Sequence, residues 1–221
     1  MRNTLRLLVL AALVGSGVSA ASRFPDPVQD IKVAAAGTQQ TAVLAGGCFW
    51  GVEAVFEQLA GVSDVVSGYA GGSSATAHYQ VVSTGTTGHA ESVKITFDPA
   101  RISYGQLLKI FFAIAHDPTE LNRQGPDEGT QYRSAIFYET PEQKTVAEAY
   151  IQQLEAARVF PRHVVTQVVP LQGFYPAEAY HVDYYRRNPD KAYCAATIGP
   201  KVSKLRSKYA ARLKGSDPVR P

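Results

Sequence analysis

The chain has 221 residues, 45% of them hydrophobic and 19% charged, which is enough apolar material for one packed domain with tails and too much for a disordered chain. Its formal charge is +3, but Arg2 and Arg6 lie in the first twenty residues, which hold no acid, and setting them aside leaves 20 basic against 19 acidic residues. That near-balance excludes the electrostatic footprint of a nucleic-acid binder.

Residues 1–20 read as a secretory signal peptide. Arg2 and Arg6 precede the apolar run 7–14, and Val18, Ser19 and Ala20 offer small side chains for cleavage after Ala20. The run is shorter than the roughly 20 apolar residues of a membrane-spanning helix; an uncleaved anchor is the alternative. The expectation is an exported protein, periplasmic or extracellular, with no membrane attachment after cleavage. Residues 21–40, rich in Ala, Pro and Gln, read as a linker that is poorly ordered or draped on the surface. The domain proper is expected over 41–213, with 214–221 as a C-terminal tail.

Residues 41–45 predict a short buried strand, broken by Gly46 and Gly47. A helix follows, with Phe49, Val52, Phe56 and Leu59 at three- and four-residue steps, ending at Gly61. Residues 62–69 are a second strand and 73–89 a polar loop. Residues 90–97 alternate, with Val93, Ile95 and Phe97 on one face and Ser92, Lys94 and Thr96 on the other. Ser103 and Gln106 form a capping-box pattern before a helix striped by Leu107, Ile110, Phe111 and Ile114. Residues 133–138 are a strand, and Thr140 and Pro141 start a helix to about Arg158. Residues 163–170 are a last strand; 176–187 and 200–213 read as helical. The basic residues of the final segment (Lys201, Lys204, Arg206, Lys208, Arg212, Lys214) read as a solvated helix face. The order of elements predicts a two-layer α+β domain with a mixed β-sheet and packed helices.

Two cysteines in an exported chain suggest a structural disulfide by default. The surroundings of Cys48 argue otherwise. It follows a strand and two glycines and opens a helix, where backbone N–H groups favour a thiolate over a thiol. Phe49 and Trp50 beside it suggest an apolar pocket suited to a methyl group and hostile to a charged substrate. Glu91 shares the parity of Val93, Ile95 and Phe97, so a carboxyl group begins an apolar face, where burial would keep it protonated as a general acid; a strand-end Glu turned to water is the alternative. The polar loop 125–134, with Asp127, Gln131, Tyr132 and Arg133, reads as a binding loop or a plain turn. No spacing of Cys and His suggests a metal site.

Together the segments 46–53 (GGCFWGVE), 67–72 (SGYAGG), 88–91 (GHAE), 116–119 (HDPT), 127–134, 174–178 (FYPAE) and Tyr193-Cys194 resemble the A-type peptide methionine sulfoxide reductases, in one order and over 41–194. The resemblance implies an α+β two-layer sandwich of the ferredoxin-like plait kind and thiol-dependent reduction of the S epimer of methionine sulfoxide, free or in proteins, as repair of oxidative damage. It implies Cys48 as nucleophile, Glu91 as general acid, Tyr79 and Tyr132 as hydrogen-bond donors to the sulfoxide oxygen, Asp127 as a holder of substrate or water, and Phe49 and Trp50 as the methyl cradle. Cys194 would resolve a Cys48 sulfenic acid as a disulfide, although it precedes a predicted helix rather than a loose Gly-rich tail. No bound cofactor is implied, only an external dithiol reductant such as a thioredoxin-like protein, and the molecule is expected to be a monomer. The rival readings are another thiol enzyme, a peroxidase or a hydrolase using His89 or His181, and a non-catalytic binding domain stapled by Cys48 and Cys194.

Overall fold

The computed structural model describes residues 24–32 and 37–215; the signal-like segment 1–20 lies outside them. β1 (Gln40–Gly46) is a continuous apolar run because both of its faces are covered: Ala42 and Leu44 enter the main core, while Val43 and Ala45 enter a smaller cluster behind the sheet. α1 (Phe49–Phe56) is buried almost all round, as a helix without a polar face must be. It ends at Phe56, a turn earlier than the periodicity predicts. The chain then turns through Leu59, which pairs as an isolated bridge with Leu213, and Gly61 at φ +89° admits it to β2 (Val62–Ala70).

The polar loop after β2 contains more order than its composition suggests: a 3-10 turn at Ser74–Thr76 and the four-residue helix α2 (Tyr79–Val82). β3 (Ala90–Phe97) matches its expected bounds, with Val93, Ile95 and Phe97 in the main core. α3 (Tyr104–Ile110) carries the expected capping box: Ser103 Oγ accepts from the Gln106 N–H, and the Ser103 N–H donates to Gln106 Oε1. It runs on into a π turn, Phe111–Ala115. A small ribbon follows, β4 (Arg123–Gln124) with β5 (Asp127–Glu128), then a 3-10 turn at Thr130–Tyr132 and β6 (Ser134–Tyr138). α4 (Pro141–Ala156) is capped by Thr140. β7 (Gln167–Pro170) is shorter than the strand expected over 163–170.

The segment expected to be helical from 176 to 187 begins instead as strand β8 (Phe174–Pro176), followed by a 3-10 turn at Ala179–His181 and α5 (Tyr184–Arg187). A π turn at Cys194–Ile198 leads into α6 (Gly199–Lys208), and the rest of the predicted final helix is a 3-10 turn.

The six-stranded sheet has the order β7-β6-β1-β3-β2-β8. Its four central strands are antiparallel to one another and have the order of a βαββαβ plait. β7 adds a parallel edge to β6 and β8 an antiparallel edge to β2, so the sheet is mixed. The helices bury their apolar faces on one side of it. The expected α+β sandwich of mixed sheet and packed helices is what forms. Residues 24–32 are draped over α3 and α4: the Tyr150 hydroxyl donates to Pro25 O (2.9 Å), the Gly105 N–H to Asp30 Oδ1 (2.9 Å), and Phe24 packs edge-on to Phe160.

Candidate active site

β1 delivers the chain to Gly46 and Gly47, and both glycines are required by their neighbours. A Cβ on Gly46 would stand 2.9 Å from the Phe111 ring; one on Gly47, at φ +87°, would stand 2.5 Å from Gln124 Cβ. This close approach seats Cys48 at the N-cap of α1, half-buried, with the Trp50 N–H and the Tyr193 hydroxyl in hydrogen-bonding reach of its sulfur. Both cysteines are free thiols. Burial, and after it the Glu91 carboxylate, push the Cys48 thiol well above its ordinary value. The sequence suggests a thiolate at the helix start, but Cys48 rests as a thiol, because desolvation outweighs the N–H groups.

Glu91 is on the core face of β3, as its parity requires, and 2% exposed. Its Oε2 accepts from the Phe49 N–H at 3.0 Å. Burial pushes its pKa up to about 8, against the opposing effect of that hydrogen bond. The carboxyl group therefore keeps its proton at neutral pH one residue from the nucleophile.

The aromatic wall is clamped from behind. Trp50 stacks on Tyr184 with ring centroids 3.7 Å apart, and its Nε1 donates to His181 Nδ1 at 3.1 Å. Phe49 is 1% exposed and packs against Tyr69 and His181. His181 is buried and held neutral; its Nδ1 accepts from Trp50, so its proton is on Nε2. Glu178 ties two tyrosines together, accepting from the Tyr69 hydroxyl (2.8 Å) and the Tyr79 N–H (2.9 Å). Burial raises the pKa of Tyr79 and of Tyr132, with further contributions from Glu91, Cys48 and Asp127, so both phenols stay protonated donors. Asp127, on β5, accepts from the Tyr193 hydroxyl at 2.6 Å.

Cys48, Phe49, Trp50, Tyr79, Glu91, Asp127 and Tyr132 are thus gathered in one region. Cys194 is not. It is fully buried in a separate small cluster with Ala54, Ile198 and Val202, while the cavity of about 240 Å³ at Cys48 is walled by its neighbours Tyr193, Ala196, Thr197 and Ile198. The sequence reading missed Tyr193 and Glu178 as site residues, although both lie in the quoted segments and a Tyr preceding the second Cys was a usable signal, and it named His181 only as a possible hydrolase base. It also misread Lys201: that side chain lines the Cys48 cavity. The other basic residues of that segment, Lys204, Arg206, Lys208, Arg212 and Lys214, are exposed as expected, with Lys204 Nζ donating to Ala113 O and Arg206 Nε to Gln58 Oε1.

The chain matches the family model described as peptide methionine sulfoxide reductase over residues 40–213. It is 54% identical over 210 residues to peptide methionine sulfoxide reductase MsrA 2 of Synechocystis, covering 93% of this chain and 98% of that one. It is 53% identical to MsrA of Deinococcus radiodurans over 176 residues, 80% of this chain and 85% of that one. Among solved structures it is similar to methionine sulfoxide reductase A of Corynebacterium diphtheriae, with 35% identity, a TM-score of 0.60 and coverage of 69% of this chain and 76% of that one. It is also similar to Mxr1 of Saccharomyces cerevisiae in reduced form, with 32% identity, a TM-score of 0.63 and coverage of 74% and 93%.

Proposed function

This chain belongs to the A-type peptide methionine sulfoxide reductase family, and from that premise we propose that its reaction runs on the Cys48 sulfur with Glu91 as the acid. The chain is an oxidoreductase that reduces methionine sulfoxide to methionine and so serves protein repair. The observation that carries the assignment of roles is the Glu91 carboxyl group: buried, protonated to about pH 8, and hydrogen-bonded to the N–H of the residue after Cys48.

The oxygen of a sulfoxide leaves poorly until it is protonated. Cys48 first gives up its thiol proton to solvent, and Glu91 then donates its own proton to that oxygen while the resulting thiolate attacks. The substrate sulfur gains two electrons and departs as a thioether; the Cys48 sulfur loses two and carries away the hydroxyl as a sulfenic acid; Glu91 is left as a carboxylate that solvent reprotonates. Tyr79 and Tyr132 donate hydrogen bonds to the sulfoxide oxygen. Phe49 and Trp50 wall the methyl group, and Asp127 holds the substrate or a water. With oxygen, methyl and sulfur each assigned a place, only one hand of the sulfur centre fits, and we take it to be the S epimer, as the resemblance to the A-type family implies.

The sulfenic acid is removed by a thiol. Condensation with Cys194 gives a disulfide and water, after which an outside dithiol of thioredoxin-like chemistry reduces it by exchange. The test is turnover of each sulfoxide epimer by the full chain with dithiothreitol. The parent is expected to consume the S epimer alone and Cys48→Ser to consume neither. Persistent turnover in Cys48→Ser would exclude the mechanism.

A further inference from the structure

We propose that the Lys201 ammonium group is the cation that stabilises the Cys48 thiolate, reaching it through the shared cavity between α1 and α6. This rests on Cys48 being the nucleophile. Lys201 comes from the far end of the sequence, and three features bring it there. The π turn at Cys194–Ile198 packs on the main body through Cys194 and Ile198, and Pro200 opens α6, so Lys201 follows directly on an anchored corner. Gly51, in the first turn of α1, has the ammonium beside it: a Cβ there would be in ordinary contact with Lys201 Nζ, at 3.7 Å. Gly51 is itself bonded through its N–H to Cys48 O at 3.1 Å, so the ammonium lies beside the turn that the nucleophile caps. Cys48, Gly51, Asp127, Tyr193 and Lys201 then line one cavity.

The site needs such a charge. The first turn of α1 holds no acid, and its N–H groups favour an anion, yet burial of Cys48 opposes ionisation more strongly than they promote it. The other charged or titratable groups that face the sulfur are Glu91 from β3, Asp127 from β5, Tyr79 from α2, Tyr132 before β6 and Tyr193 before the π turn; each carboxylate, where ionised, opposes a thiolate. Those facing Lys201 are Cys48, Asp127, Glu120 and His116, which burial keeps neutral. Lys201 is thus the positive member of a group whose other members are neutral or negative. Burial lowers its own pKa, and a Cys48 thiolate raises it, so each ion favours the other.

The experiment reads Cys48 without any sulfoxide, so its outcome is separate from that of the turnover assay. The rate of Cys48 alkylation in the full chain is followed against pH by mass spectrometry, with neutral iodoacetamide and anionic iodoacetate. Lys201→Met and Lys201→Gln are expected to move the midpoint of the profile up by about one unit, about tenfold in rate at a fixed pH below it. They are also expected to lose preference for iodoacetate relative to the parent. Lys201→Arg, which keeps the charge, is expected to restore most of both, and Lys208→Met, on the exposed side of α6, to change neither. Melting temperatures identify which of the two neutral variants is folded and read. A midpoint and reagent preference unchanged in a folded neutral variant would overturn the proposal, as would an Arg variant that behaves like Met.

Discussion

A carboxyl group with a pKa of about 8 is mostly protonated at neutral pH, and Glu91 owes that state to burial on a strand face that is otherwise apolar. The consequence for rate has a definite sign. The acid must carry its proton and Cys48 must have lost its own, so kcat/KM is expected to rise with pH to about 8, to level there as loss of the Glu91 proton cancels the gain in thiolate, and to fall at higher pH once Cys48 is ionised. Glu91→Gln cannot titrate; it is expected to remove that alkaline limb and to slow turnover by roughly 10²–10⁴-fold, the usual share of general acid catalysis. A pH–rate profile that keeps the limb in Glu91→Gln would refute the role. Glu91 was legible in the sequence because alternation along a strand reveals which face a side chain joins. Cys48 was legible as a helix-opening residue after two glycines, though not in its ionisation, which depends on how deeply the cavity is enclosed. Tyr193, Glu178 and Lys201 were not legible from local pattern, because each acts on a partner far away in sequence, and only the fold brings the pair together.

Among the elements, those set by short-range chemistry were read well. The Ser103 capping box and the Thr140 cap with its following proline fixed the starts of α3 and α4. The elements misread were those decided by packing: α1 stops a turn early to feed β2, and β8 forms only because β2 offers it an edge. The π turn at Cys194–Ile198 belongs to the same class. It buries Cys194 completely against Ala54, Ile198 and Val202, and Cys194 is not among the residues that line the Cys48 cavity. For Cys194 to resolve a sulfenic acid, that turn must open, and single irregular turns of this kind are frequent at functional sites. Cys194→Ser is accordingly expected to complete one turnover at the parent's rate but to lose most of its steady-state rate with a protein dithiol. A single-turnover experiment beside a thioredoxin-coupled assay separates the two; equal coupled rates would show that outside thiols reduce Cys48 directly.

At the scale of the molecule, the plait follows from the alternation of strand and helix signals, whereas the two added edges of the sheet do not. Export is argued at this scale too, from Arg2, Arg6, the apolar run 7–14 and the small residues ending at Ala20. The mature chain is expected outside the cytoplasm with Ala21 as its first residue, which N-terminal sequencing of the exported fraction checks; a retained residue 1 would mean an anchor instead. The stretch from 24 to 32 is held on α3 and α4 by Pro25 and Asp30, and Phe24 packs on Phe160 beyond α4.

The wall that closes the Cys48 cavity comes from residues 193–201, and the chain then returns to α1 through the pairing of Leu59 with Leu213. During synthesis the nucleophile emerges early and this wall last. A nascent polypeptide therefore exposes a bare, uncommitted sulfhydryl for most of its elongation and acquires its chemistry only on release. Removing residues 193–213 should yield a domain that retains its sheet and Cys48 but lacks the Tyr193 and Lys201 side of the cavity.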